Sequence, residues 1–460
     1  MMHVECENKL VVRDATPKLR TWCRENLRLP NPDFYKKQAM GKWTGNTPEY
    51  FDLYETIGKS IYLPFGCARR VYEAFRGNIA FKAVYSPLRR VDYKSNINLY
   101  PYQEAAVRAA QELKNGIIVM PCGSGKTQTA LELISRIGGR TLWLTHTHDL
   151  LYQSLNRAKS VLDVYTGSYG VISGGKVNIG QGITFATVQT MAKLDLAQYW
   201  DTWDVIIVDE CHKAVGSPTK VMQFYKVLSS LSCRYKYGLT ATPKRADGLT
   251  DSMFALLGDV VYEVSREQVA NTTCRVEVER VQTTYSPNMD AILAGDGTLN
   301  YAALVNDMTG DQDRFHEVLS RINGLKKMLV LANRVSYLEQ LSKAYEGKSI
   351  CLSGVSGYSK AAKVEREKAL KNLNKGKIDC IFATYQLAKE GLDVPSLEYV
   401  VFATPEKDET TVTQAAGRVG RKSPGKQFGT VIDFVDDFGM LRGWAKKRAG
   451  FYKKLKYDIL

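Results

Sequence analysis

The sequence predicts an α/β fold: two tandem parallel-sheet lobes behind a small α+β N-terminal domain. Three observations carry that expectation. A chain of 460 residues exceeds one ordinary core and suits two or three domains. Short, unbroken apolar runs recur between helical stretches, the form strands take when a parallel sheet is covered on both faces. Several of these runs end in a Gly-rich turn, a pair of carboxylates or a threonine, and ligands in open α/β sheets collect at strand carboxyl ends. The expected divisions are 1–95 for the N-terminal domain, 96–264 and 265–440 for the lobes, and 441–460 for a basic C-terminal helix.

Composition narrows the classes. Hydrophobic residues make up 44% and charged residues 24%, as in a soluble globular protein. No run approaches 18 apolar residues and the N-terminus MMHVECENKLVVRD lacks a signal-peptide layout, so the expected setting is the cytoplasm or nucleoid, with no membrane partner. The nine cysteines form no C-x-x-C pair, which argues against a zinc site or a disulfide framework; they are expected reduced and mostly buried. A net charge of +15 draws polyanions through counterion release. The same charge also serves solubility, so it does not name nucleic acid by itself.

Taken in chain order, Asn98-Leu-Tyr-Pro-Tyr-Gln-Glu-Ala-Ala-Val107 opens a helix that carries Gln103. A glutamine offers a donor and an acceptor together, matching the edge of adenine, and Gln103 is the candidate adenine reader. The apolar run Gly116-Ile-Ile-Val-Met120 leads into Pro121-Cys-Gly-Ser-Gly-Lys-Thr-Gln128, a strand, loop and helix start. Gly123, Ser124 and Gly125 form a loop able to fold round a phosphate chain. Lys126 supplies a charge for the β/γ-phosphates of ATP, and Thr127 an oxygen for Mg²⁺. The full G-x-x-x-x-G-K-[ST] pattern would place glycine where Met120 stands.

Trp203-Asp-Val-Ile-Ile-Val-Asp-Glu-Cys-His212 reads as a buried strand ending in two carboxylates. Asp209 is expected to organise the metal shell, and Glu210 to orient or deprotonate the attacking water. Farther on, Lys327–Ala332, Asp379–Thr384 and Tyr399–Ala403 are apolar strands, and residues 359–373 a helix: a second βαβ rhythm.

Together these motifs resemble the superfamily 2 helicases with a DECH box, in the XPB-like and UvsW-like branch that includes phage branch-migration helicases. Tyr237-Gly-Leu-Thr-Ala-Thr-Pro-Lys-Arg-Ala-Asp-Gly248 is similar to the third motif of that branch, Ala383-Thr-Tyr-Gln-Leu-Ala-Lys-Glu-Gly-Leu-Asp-Val-Pro395 to motif V, and Gln414-Ala-Ala-Gly-Arg-Val-Gly-Arg421 to motif VI. The resemblance spans roughly residues 96–440 and implies two RecA-like lobes. It implies coupling of the ATP site to the nucleic-acid track through Thr240 and Thr242, with Arg245 and Asp247 bracing the next loop. Thr145, Thr187, Thr190, Arg334 and Thr384 fall where the family touches the strand backbone. Gly391 and Asp393 are implied at the nucleotide, and Gln414, Arg418 and Arg421 in catalysis. A guanidinium is suited to neutralise the γ-phosphate during transfer.

The N-terminal segments 31–46, 63–70 and 88–94 interleave aromatic with basic residues, a pattern suited to stacking on bases and following phosphates. The tail from Leu441 to Lys456 reads as a basic helix with Trp444, Phe451 and Leu455 in line. The resulting expectation is a monomeric, ATP- and Mg²⁺-dependent DNA helicase acting on forks and four-way junctions in phage replication or recombination. An RNA helicase, the motor subunit of a restriction or defence complex, and an ATP-switched clamp without catalysis are the alternatives.

Overall fold

The computed structural model describes residues 1–121, 123–165, 167–213, 217–241, 249–269, 273–352, 360–389, 394 and 396–460. It contains two compact units, one of Met1–Pro121 with Gly125–Ser265 and one of Cys122–Ser124 with Arg266–Leu460.

The first unit is built on an eight-stranded sheet, in the order Lys176–Asn178, Tyr169–Ser173, Ile183–Thr187, Thr141–Thr145, Val205–Val208, Tyr235–Thr240, Asn115–Val119 and Val260–Glu263. Only the edge pair formed by Lys176–Asn178 is antiparallel. The central strands are buried along their whole length, which is why they read as continuous apolar runs. Trp143, Phe185 and Trp203 sit fully or almost fully inside, each worth about 2–3 kcal/mol in burial. Parallel register brings the strand carboxyl ends to one edge, with Val119 opposite Thr240, Val208 opposite Leu144, and Thr145 opposite Thr187.

A separate five-stranded sheet lies at the N-terminus, ordered Glu55–Ile57, Ser60–Leu63, Leu10–Val12, Met2–Cys6 and Ile79–Ala83. It is not an isolated module. Its core residues, among them Val4, Leu63 and Cys67, form one hydrophobic cluster with Phe224, Met253 and Leu256 of the larger sheet's helices. Lys236, fully buried, stitches the two parts together: its ammonium donates to the carbonyls of Asn8, Leu228 and Leu231 at 3.1, 2.8 and 3.2 Å, and lies 5.0 Å from the centroid of the Phe65 ring. Burial pulls its pKa down to about 8, so it still carries its proton at neutral pH.

The second unit holds a wholly parallel seven-stranded sheet, ordered Ser349–Leu352, Cys380–Thr384, Met328–Ala332, Tyr399–Phe402, Phe428–Val435, Arg275–Gln282 and Asp458–Ile459. Two buried ion pairs anchor the end of its longest strands. Arg314 meets Asp436 at 2.6 Å, and Asp436 also accepts from Thr283 at 2.7 Å; Arg448 meets Asp433 at 2.8 Å.

The C-terminal helix, Gly439–Lys454, buries Leu441, Ala445, Arg448 and Tyr452; of the expected stripe, Leu455 just beyond it is buried, while Trp444 and Phe451 are half-buried and pack at the edges of hydrophobic clusters. The difference arises because Arg448, a polar residue by type, turns inward to neutralise Asp433. Beyond the helix the chain returns as the edge strand Asp458–Ile459, an element too short and mixed to stand out in the sequence.

Candidate active site

The loop after Asn115–Val119 meets the demands of a phosphate cradle. Gly123 and Gly125 both have φ of +82°, the left-handed region that costs a side-chain-bearing residue energy. A Cβ at Gly125 would also collide with the Gln103 side chain. Gly125 caps the helix Lys126–Ile137, whose first turn, carrying Lys126 and Thr127, presents backbone N–H groups and the positive end of the helix dipole. Ser124 is buried and Thr127 half-buried.

Gln103 lies beside this loop, on the helix Pro101–Leu113. Its Oε1 accepts from the backbone N–H of Tyr100 at 2.9 Å, closing a capping box at the helix start. The helix is held to the helix after the loop by Glu104, which takes two hydrogen bonds from Arg136, at 2.9 and 2.6 Å, and one from Arg108 at 2.7 Å.

Across the same sheet edge, Val205–Val208 runs into Asp209 and Glu210. Asp209 is buried, its backbone N–H donating to Leu144 O at 2.9 Å and its carboxylate 3.4 Å from Ser154 Oγ. Burial, then the neighbouring Glu210, pushes Asp209 up to about 7. Glu210 adopts φ of +47°, unusual for a residue with a side chain, and its carboxylate lies 3.6 Å from Lys126 Nζ. Although burial opposes it, Lys126 and then His212 hold Glu210 below the ordinary carboxylate range. Its Oε2 is buried, makes no hydrogen bond among the described residues, and stands 3.3 Å from His212 Nδ1. An orphaned carboxylate oxygen beside a lysine and a glycine cradle fits a site made for a phosphate chain and its cation.

One functional link has no counterpart among the residues expected from sequence. The Nδ1 of His212 shares a hydrogen bond of 3.0 Å with Thr240 Oγ1 and stands 3.3 Å from Glu210 Oε2, so this buried ring lies between the carboxylate and the threonine of the next strand. The signal is present in Glu210-Cys-His212, but only the pairing of the two strands shows what the ring reaches. His146 is half-buried nearby; desolvation and then Lys213 push it down to about 3, so it is neutral.

The candidate strand-backbone threonines occupy the same edge. Thr145 Oγ1 donates to Thr147 O at 3.0 Å, and the hydroxyls of Thr187 and Thr190 share a hydrogen bond of 2.9 Å. In the second unit, Arg334 donates to Asn306 Oδ1 at 2.7 Å and Ala302 O at 3.2 Å, while Thr384 ends a strand and accepts from Leu387 N–H at 3.4 Å. Gln414 lies in the last turn of the helix Glu409–Ala416. Arg418 is buried and donates to Ala388 O; Arg421 stands in a stretch paired with Thr273. Thr242, Arg245, Asp247, Gly391 and Asp393 lie outside the described residues.

Of the aromatic and basic N-terminal segments, two serve packing. Phe65 and Tyr93 are buried, and Arg89 pairs with Asp204 at 3.0 Å. Only the segment 31–46 leaves a large aromatic in water, Trp43, at 87% exposure.

A parallel sheet with a glycine cradle, a helix-borne lysine and paired carboxylates at one edge defines a nucleotide-splitting enzyme. Two family models match the chain, "Type III restriction enzyme, res subunit" over residues 96–245 and "Helicase conserved C-terminal domain" over 312–423. The chain is 26% identical over 385 residues to protein L396 of Acanthamoeba polyphaga mimivirus, provisionally named an ATP-dependent RNA helicase, covering 81% of this chain and 70% of that one. It is 27% identical to the DNA 3'-5' translocase XPB2 of Sulfurisphaera tokodaii (72% of this chain, 80% of the relative) and 25% identical to the probable helicase D10 of Escherichia phage T5 (72% and 70%). Among solved structures, Saccharomyces cerevisiae Dbp5 bound to RNA and ADP BeF3 shares the fold, with a TM-score of 0.56 at 15% identity over 79% of this chain and 90% of that one. The chain resembles the superfamily 2 helicases and is an ATP-hydrolysing nucleic-acid helicase with RecA-like lobes.

Among the described residues no helix is long and apolar enough to cross a membrane.

Proposed function

We propose that the protein is a DNA helicase or translocase that remodels branched DNA, forks and four-way junctions, in phage replication or recombination. The observation that carries this reading is the chain of contacts along one sheet edge. Lys126 faces Glu210, Glu210 faces His212, and His212 bonds Thr240, with Thr145 and Thr187 at the ends of two further strands of the sheet and Thr190 in the helix that follows Thr187. A change in charge at the nucleotide thereby has a short, polar route to groups suited to holding a phosphate backbone.

In this reading the loop residues Gly123, Ser124 and Gly125 wrap the phosphates, Lys126 neutralises them, and Gln103 reads adenine with the donor half of its amide. Thr127 and Asp209 hold Mg²⁺, which supplies charge neutralisation for the β- and γ-oxygens. Glu210 positions the attacking water and accepts its proton. Arg418 and Arg421, with Gln414, act on the γ-phosphate from the second lobe, so that hydrolysis reorganises two strand-binding surfaces and advances the motor. Thr242, Gly391 and Asp393 complete the coupling and nucleotide contacts, while Arg334 and Thr384 hold the strand. The divisions at 95, 264 and 440 delimit an accessory domain, the two lobes and the tail; the protein works as a monomer in the cytoplasm or nucleoid.

DNA is favoured over RNA by the similarity to XPB2 and by the Thr-Pro-Lys-Arg-Ala-Asp-Gly segment, 242–248. ATPase and unwinding assays on matched junctions, forks, linear duplexes and RNA test it. Stimulation greatest with junction DNA is expected, and stimulation by RNA alone would overturn the reading. The match to a restriction-enzyme subunit model supports a second reading, a motor that serves a nuclease on another chain. Unwinding of a junction by the purified chain alone decides against a requirement for that partner.

A further inference from the structure

A second basic surface lies away from the nucleotide site, within the first unit. The helix Pro32–Ala39 and the loop after it stand opposite the helices Val188–Met191 and Pro218–Ser230, enclosing a groove of about 900 Å³. Five lysines line it, Lys36, Lys37, Lys42, Lys193 and Lys226, against the single carboxylate of Asp33. Four of them, Lys36, Lys42, Lys193 and Lys226, are exposed, and Lys226 Nζ donates to Ala192 O at 2.7 Å. Between the charges the lining is apolar, with Met40 and Met222 exposed at 56% and 39% and Phe51 beneath. The loop is braced: Lys37 Nζ donates to Thr47 Oγ1 at 2.6 Å and Asn31 Nδ2 to Pro48 O at 2.8 Å. That loop carries Trp43, the most exposed of the large aromatics.

We infer that this groove is a track for a single DNA strand, its phosphates on Lys36, Lys42 and Lys193 and a base stacked on Trp43. The inference rests on the nucleic-acid reading above and adds a surface to it. Two features select a single strand. Duplex DNA offers such a groove only phosphates, leaving the methionines without an occupant, whereas unpaired bases have apolar faces that stack and cover them. The groove is also continuous with the candidate strand-backbone residues, because Gln189, which lines it, lies between Thr187 and Thr190 and is fixed by its own bond to His146 O at 3.1 Å.

The test measures binding of a fluorescein-labelled oligothymidylate to the full chain across a salt series. For the combined variant Lys36→Glu, Lys42→Glu and Lys193→Glu, affinity is expected to fall at least about tenfold. The log–log salt slope is expected to flatten by about 2, since each phosphate left without its lysine removes roughly 0.7. Trp43→Ala is expected to weaken binding about 5- to 100-fold, the range for one stacked base. The DNA-free ATPase rate and the melting temperature should match those of the unaltered chain. Photocrosslinking the unaltered chain to 5-iododeoxyuridine oligonucleotides gives a readout independent of variant folding, with adducts expected within residues 31–50. Affinity within twofold of the unaltered chain, loss confined to duplex DNA, or adducts only elsewhere overturns the groove while leaving the motor intact. If the unaltered chain binds no DNA and shows no DNA-stimulated ATPase, the nucleic-acid reading itself falls, and the groove with it.

Discussion

Glu210 is the side chain on which the proposed chemistry rests most heavily. It holds a backbone conformation that disfavours any Cβ, and its carboxylate is buried between Lys126 and His212. Strain of this kind, on the order of 1–3 kcal/mol, persists where the surrounding structure fixes the residue in place. Glu210→Gln keeps the shape and removes the carboxylate proposed as the base. Steady-state phosphate release is expected to fall by at least about 10²-fold while binding of a fluorescent ATP analogue stays within a fewfold. Full turnover in this variant would remove Glu210 from the role assigned to it. His212→Ala tests the link to Thr240. It removes one hydrogen bond, about 1.4 kcal/mol or tenfold, and that loss should appear in nucleic-acid-stimulated ATPase far more than in the unstimulated rate. Equal losses in both rates would mean that the ring only supports the pocket.

At the scale of elements, the helix bearing Gln103 has to be indexed against the helix that begins at Lys126, and Glu104 does this through Arg136, with Arg108 of its own helix as a second donor. Those hydrogen bonds, chiefly from Arg136, lower Glu104 to about 2. Since the folded value lies below the unfolded one, the unfolded chain binds more protons between about pH 2 and 4.5. The stabilisation is therefore complete above about pH 4.5 and is lost as pH falls toward 2. The cluster is partly open to water, so Glu104→Gln should cost only about 1 kcal/mol or less at pH 7. Thermal melts of the two proteins should differ at pH 7 and converge in acid; a difference that widens as pH falls would contradict the assignment.

Across the first unit, the N-terminal sheet is part of the motor lobe's own core. Gly66 marks the closest approach: a Cβ there would stand 2.6 Å from both Ala255 O and Leu257 N, backbone atoms that have nowhere to go. Gly66→Ala is expected to destabilise the first unit by about 1–3 kcal/mol, read as a lowered denaturant midpoint. A midpoint unchanged by the substitution would show that the two parts melt independently. The lysine-lined groove sits between the N-terminal segment 31–51 and the first unit's helices Val188–Met191 and Pro218–Ser230, so in the proposed reading both parts share one nucleic acid.

What the sequence determined by itself is the parallel-sheet character and the chemical residues, because buried strands and phosphate loops are local signals: an apolar run, a glycine with φ of +82°, a lysine at a helix start. The strands at 328–332, 380–384 and 399–402 were readable for that reason. Pairing between distant residues has no local signal. Arg448 turning inward to Asp433, the edge strand at 458–459, Lys236 capping three carbonyls, and His212 reaching Thr240 were decided by tertiary structure alone. So was the fate of the aromatic and basic N-terminal segments, whose composition suits a core as well as a DNA surface. Packing buried Phe65 and Tyr93 and left Trp43 in water, because burial depends on what lies across the interface, and that is set by the fold as a whole.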